Sequence, residues 1–245
     1  RDTDRSRGLG DVYKRQLPID CEKFMRDNTG KYTSLLWEPN EYINIMVYPF
    51  TDSQILGIST FPYSLKDFFL EGTQQVSASW ITLENLSFPY CISINSSYIY
   101  EQSTDERINQ NDAAITLAHE LGHYLGLRHV FSEGGTTSMC TDTDYCKDTP
   151  SYNRSEYEQW LNNLDKQNKY QLKDLAKRYS CEKGEYEAHN IMDYAYCFYN
   201  EITLEQRKRI RHILNYSPLI PGPKESRIDT RGVQVRLNLP ICIMK

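Results

Sequence analysis

Apolar and polar positions alternate along residues 42–48, Tyr-Ile-Asn-Ile-Met-Val-Tyr, which predicts a half-buried strand that stops at Pro49. Runs at 54–60, 77–83 and 90–95 predict three more strands, with a short helix over 64–70 among them. Then the period changes. Ala114, Ile115, Ala118, Leu121 and Leu125 fall on one face of a 3.6-residue repeat, behind Asn111-Asp112, which suit a helix start. A further helical stretch between 150 and 181 carries Tyr157, Trp160, Leu161 and Leu164 at helical spacing. Thr203-Leu-Glu-Gln206 reads as a capping box opening a last helix through Leu214, with Ile210, Ile213 and Leu214 turned inward. Pro218, Pro221 and Pro223 break the chain after it, and 233–239 is again strand-like. Strands first and helices after predict an α+β fold, in which an upstream twisted mixed sheet packs on the helix that follows it. No apolar run approaches the ~18 residues of a membrane span.

That helix carries the chemistry. Residues 119–129 read H-E-x-x-H-x-x-G-x-x-H. A four-residue step puts His119 and His123 on one helix face, one turn apart, ready to share a cation. Glu120 lies between them, where its carboxylate can reach a metal-activated water without ligating the metal. Gly126 accepts positive φ without steric strain, so the helix can end there and the chain can swing His129 back to the same ion. Three neutral nitrogen ligands with one position open describe a catalytic zinc site. Five fixed positions arise by accident in a chain of this length on the order of once in ten thousand sequences.

The motif resembles the zinc signature of the metzincin metallopeptidases, a family that also carries a methionine in a tight turn beneath the metal. Met192, in the run Asn190-Ile-Met-Asp-Tyr194, stands 63 residues after His129. The resemblance implies that Met192 is the Met-turn residue, a floor under the histidines, and that the Tyr194 phenol stabilises an oxyanion near the zinc. Cys140, Asp142, Asp144, Cys146, Asp148-Thr-Pro150, Cys181 and Cys197 are ordered as in the pappalysin branch of metzincins, including its bacterial secreted and lipoprotein members. This likeness runs over roughly residues 40 to 215. It implies bridges Cys140–Cys181 and Cys146–Cys197 stapling an irregular lower subdomain that holds the Met-turn and the C-terminal helix; the cysteine count alone leaves three pairings open. It also implies structural calcium at Glu133, Asp142, Asp144 and Asp148, against which stands the plain reading of a solvated acidic loop.

Composition adjusts this picture in three ways. The net charge of −5, without a long basic run, gives nucleic acid no electrostatic footprint. Seven cysteines without a C-x-x-C pair fit an oxidising compartment, so the expectation is a secreted or extracytoplasmic monomer acting on peptides or proteins. Residues 1–16 resemble translated sequencing-adapter DNA and are expected to be non-native, with a catalytic domain over 17–216. Any signal peptide or lipid anchor, as on a surface lipoprotein, would then lie upstream. Residues 217–245 read as a tail or the start of a further domain. The function expected is a zinc endopeptidase with Glu120 as general base and acid. The alternatives are a catalytically silent peptide-binding module of the same fold, and an enzyme of an astacin-like or fragilysin-like branch.

Overall fold

The computed structural model describes residues 18–77, 81–100, 104–131, 144–165, 168–180, 182, 184–224 and 241–244. A short helix α1 (Cys21–Met25), capped by the Asp20 carboxylate, leads into strands β1 (Ile45–Tyr48), β2 (Gly57–Thr60), β3 (Tyr63–Leu65), β4 (Gln74–Val76) and β5 (Ile92–Asn95). Helix α2 (Ala113–Tyr124) follows, then α3 (Arg154–Asn162), α4 (Leu172–Leu175), the hairpin β6 (Lys177–Ser180) and β7 (Gly184–Glu187), α5 (Leu204–Tyr216) and β8 (Ile241–Met244).

The principal sheet has the order β1-β5-β2-β8. β1 runs parallel to β5, while β2 runs antiparallel to both β5 and β8. Each face of β2 and β5 is covered. On one, Cys91 and Ser93 direct their Sγ and Oγ to the Met25 sulfur of α1, at 3.6 and 3.3 Å. On the other, α2 packs, and Ile92, Tyr90 and Tyr124 are fully buried in the core around it. This packing fixes the helix that bears His119 and His123.

The strands at 45–48, 57–60 and 92–95 lie within the segments expected, each shorter than its alternation suggested. Two expectations fail. Residues 64–70 do not form a helix: Tyr63, Ser64 and Leu65 are all buried in β3, which pairs in parallel with β4, and the Ser64 hydroxyl accepts from Leu70 N at 3.0 Å. Burial of three successive residues, not a helical stripe, set that pattern. Residues 77–83 likewise give no strand where described; Leu83–Asn85 is a 3-10 turn whose capping box joins Thr82 and Asn85. The 150–181 segment is helical in two pieces, α3 and α4, and α5 opens with the expected Thr203–Gln206 box. The strand-like 233–239 lies outside the described residues, and β8 was not anticipated.

The lower region is held without the expected Cys146–Cys197 bridge. Both are buried free thiols in different surroundings. Cys197 packs with Leu172, Ala176, Ala188 and Tyr199 and bonds the Asn190 carbonyl at 3.3 Å, whereas Cys146 sits by Asp144, Asp148 and Arg209. Cys140 and Cys181, the other pair, lie outside the described residues. Arg178 does the fastening in this region. It is fully buried, its guanidinium 3.6 Å from the centre of the Tyr157 ring, and it donates to the carbonyls of Leu175, Tyr194 and Ala195. Asp193 faces it at 3.6 Å and accepts from the Tyr152 hydroxyl at 2.5 Å. Burial alone would lower the guanidinium pKa, but Asp193 and the two tyrosines hold it above its ordinary value, so the cation persists.

Candidate metal centre and active site

The end of α2 is built by a glycine. Gly126 has φ +90°, Leu127 N donates to Gly122 O at 2.9 Å and Gly126 N to His123 O at 2.9 Å, the two bonds of a Schellman motif. A side chain at Gly126 would also meet Ile213 of α5, whose neighbour Arg209 donates to the Gly126 carbonyl at 3.2 and 3.1 Å. The chain therefore reverses under α5 and returns His129 to the helix.

The three histidines converge. His129 Nε2 lies 3.2 Å from His119 Nε2 and 3.0 Å from His123 Nε2, and all three residues are buried. His119 Nδ1 is 2.7 Å from the Ile191 carbonyl and His123 Nδ1 is 2.8 Å from the Leu127 carbonyl. A carbonyl only accepts, so both Nδ1 atoms carry the proton and both Nε2 atoms present lone pairs toward His129. Burial keeps the His119 and His129 rings neutral. It pushes His119 down to about 4 against the raising effect of the hydrogen bond that the ring donates to the Ile191 carbonyl, and it pushes His129 well below its ordinary value, with His119, Arg154 and Arg128 adding to the effect. Neutral imidazoles with converging lone pairs call for a cation. Tetrahedral zinc with ~2.0–2.1 Å bonds sets ligand nitrogens about 3.3 Å apart, close to the separations here. Among the described residues this is the one cluster of His, Cys, Asp or Glu that could hold a metal ion.

Glu120 is fully buried beside the triad, against β2: a Cβ added to Gly57 would lie 2.6 Å from Glu120 Cγ and 2.8 Å from Oε1. Gly57 thus lacks a side chain where the carboxylate sits. Below the triad, residues 190–193 form a turn closed by Asp193 N to Asn190 O at 3.1 Å, and the Met192 side chain is fully buried. Its sulfur meets the place where a Cβ on Gly122 would be, so α2 rests on Met192 through a glycine. Tyr194 lies with its ring centre 4.5 Å from that of His129 and 5.5 Å from that of His119, and the Arg154 guanidinium stands 4.6 Å over it.

The structure thus brings together His119, His123, His129, Glu120, Met192 and Tyr194. The acidic residues proposed for calcium behave differently. Asp144 accepts from Cys146 N and the Thr149 hydroxyl, and Asp148 from the Thr203 hydroxyl and Glu205 N, so both carboxylates serve the loop and the start of α5. Glu133 and Asp142 lie outside the described residues. Sequence reasoning missed Gly57, Gly122, Arg154 and Arg178. A lone glycine in a strand and a lone arginine in a hairpin carry no local signal; the Gly at position 122, inside the zinc motif, was the one available hint.

Residues 72–215 match the peptidase M43 family, described as pregnancy-associated plasma protein-A. Among curated proteins, the chain is 31% identical over 188 residues to an extracellular metalloprotease of Arthroderma otae, and 30% identical to those of Arthroderma benhamiae and Trichophyton verrucosum. Each match takes in 76% of this chain and 55% of the relative, so the chain spans about half the length of these proteins. Among solved structures, mature mirolysin of Tannerella forsythia in complex with a cleaved peptide aligns with a TM-score of 0.43 and 20% identity, over 80% of this chain and 60% of that one.

Proposed function

The chain belongs to the M43 peptidase family, the pappalysins, and from that membership we propose that it is a zinc endopeptidase hydrolysing internal peptide bonds. The observation that carries the reading is the convergence of three buried imidazole nitrogens beside a buried carboxylate. His119, His123 and His129 would hold the zinc, and Ile191 and Leu127 would orient two of them through their carbonyls. When bound, zinc supplies Lewis acidity, acidifying a water and polarising the scissile carbonyl. Glu120 takes the proton from the attacking water and passes it to the leaving amine. Its seat against Gly57 keeps it out of bulk solvent, where a carboxylate is a poor base. Met192 is the Met-turn residue on which the ligand helix rests. Tyr194, held by the Arg178 bonds to its own and the next carbonyl, donates its phenol to the oxyanion as the carbonyl becomes tetrahedral.

The substrate is a peptide or an unfolded protein segment, laid in extended form along the sheet edge beside Glu120. An extracytoplasmic setting agrees with the names of the fungal relatives. The test pairs metal analysis with cleavage of an unbiased peptide library. The wild type should hold about one zinc per chain and cleave in a chelator-sensitive way; Glu120→Ala should hold the same zinc and lose at least about a thousandfold in kcat/KM. Zinc binding without cleavage by folded wild type would sink the peptidase reading.

A further inference from the structure

The edge of the principal sheet is already taken. β2 bonds β5 on one side and β8 on the other, in the antiparallel register Gly57↔Met244, Ile58↔Ile243, Ser59↔Cys242 and Thr60↔Ile241. Without β8, β2 would be an edge strand, its row of N–H and C=O groups open to any extended chain. That edge is not a remote one. Residues two apart on a strand share a face, and on β2 the face of Gly57 and Ser59 is the one that abuts Glu120. Cys242, the direct partner of Ser59, lies on the same face, over α2. The open side of β2 therefore runs past the general base, and the segment lying on it comes from this chain.

We infer that the β2 edge is a strand-accepting surface whose resident occupant is Ile241–Met244, and that this segment competes with substrate for the cleft. The inference rests on the peptidase reading for its consequence, though not for the pairing itself. Main-chain hydrogen bonding accepts most sequences, so the same ladder serves an internal strand or a substrate. A tethered occupant acts at an effective concentration on the order of millimolar, enough to hold off peptides that bind more weakly. No new contact is needed for release: the strand needs only to peel away for the edge to open.

The test uses the full 245-residue chain. Ser59→Cys faces Cys242 directly across the ladder, at the Cα spacing a disulfide needs, so oxidation locks β8 in place and mass spectrometry identifies the bond. Cys242→Pro/Ile243→Pro removes two successive N–H groups, one of which bonds β2 in any antiparallel ladder. The probe is a fluorescein-labelled peptide of residues 239–245 with serine in place of Cys242, read by anisotropy in a Glu120→Ala background so that it is not cut. Binding should be about tenfold tighter in the proline form than in the oxidised form. Library cleavage with Glu120 intact should fall about tenfold on oxidation of Ser59→Cys and return on reduction. The oxidised and reduced states of one molecule carry the comparison even if the proline form folds poorly. Failure of the cross-strand disulfide to form, or equal probe binding and equal cleavage in locked and released states, would overturn the inference and leave the peptidase reading intact. Probe binding in the expected order with no cleavage by any form would retire the peptidase and keep the strand occupant.

Discussion

At the scale of residues, two glycines matter as much as the ligands. Gly57 has an ordinary backbone conformation, so what it contributes is space: a methyl there would press on Glu120 Cγ and Oε1. Gly57→Ala should therefore retain full zinc content and lower kcat by roughly ten- to a hundredfold, because small misplacement of a general base costs about that much; steady-state kinetics beside metal analysis checks it, and an unchanged kcat would show that the carboxylate has room to move. Gly122 plays the matching part beneath the helix, where Met192 occupies the space of a side chain. Gly122→Ala should destabilise the fold by about 1–3 kcal/mol through overpacking, read as a lower urea midpoint with an unchanged slope. The three histidines and Glu120 were legible from spacing alone. These glycines were not, since what each one accommodates lies 63 or 70 residues away along the chain.

At the scale of elements, the junction of the acidic loop with α5 shows an acid of that loop serving as a helix cap. Asp148 and Thr203 together satisfy the first N–H groups of α5: Thr203 accepts from Gln206 N, and Asp148 accepts from the Thr203 hydroxyl and Glu205 N. Thr203→Ala should lose about 1 kcal/mol of stability, seen in thermal or urea melts. The Arg178 hairpin is the larger bet. Arg178→Met leaves Asp193 buried without its cation and frees two carbonyls of the turn segment, so the expected loss is about 3–5 kcal/mol. In a protein of ordinary stability that is enough to unfold the lower region at moderate temperature. Sequence patterning found β1, α2 and α5, whose periods reflect one buried face, and it placed β2 and β5 although both of their faces are covered. It misread 64–70 because β3 is buried on all sides, and periodicity cannot separate such a strand from a core helix.

At the scale of the whole molecule, a metal held by the three histidines would couple the halves. His119 and His123 come from the helix packed on the upper sheet, His129 from the chain beyond Gly126, and the bond from Val130 N to Met192 O at 3.3 Å ties that segment to the turn below. A cation shared by all three ligands should stabilise the whole fold by mass action. Chelation should lower the melting temperature by several degrees, and restoring equimolar zinc should recover it; a melt indifferent to chelator would mean that the site is preformed without metal or does not bind it.

The sequence by itself determined the three histidines that converge, the glutamate beside them, the helix that carries them and the glycine that ends it, because these are local: a four-residue step on a helix and a residue that tolerates positive φ act within one turn of chain. Only the tertiary structure decided what surrounds them. Whether thiols pair depends on where distant segments pack, and here Cys146 and Cys197 lie in separate surroundings. Which carboxylates remain for a metal depends on which helix they meet. Which strand ends as the sheet edge, and that Ile241–Met244 returns from the end of the chain to cover it, depends on hydrogen bonds between residues more than 180 positions apart, a distance over which no periodicity in sequence carries information.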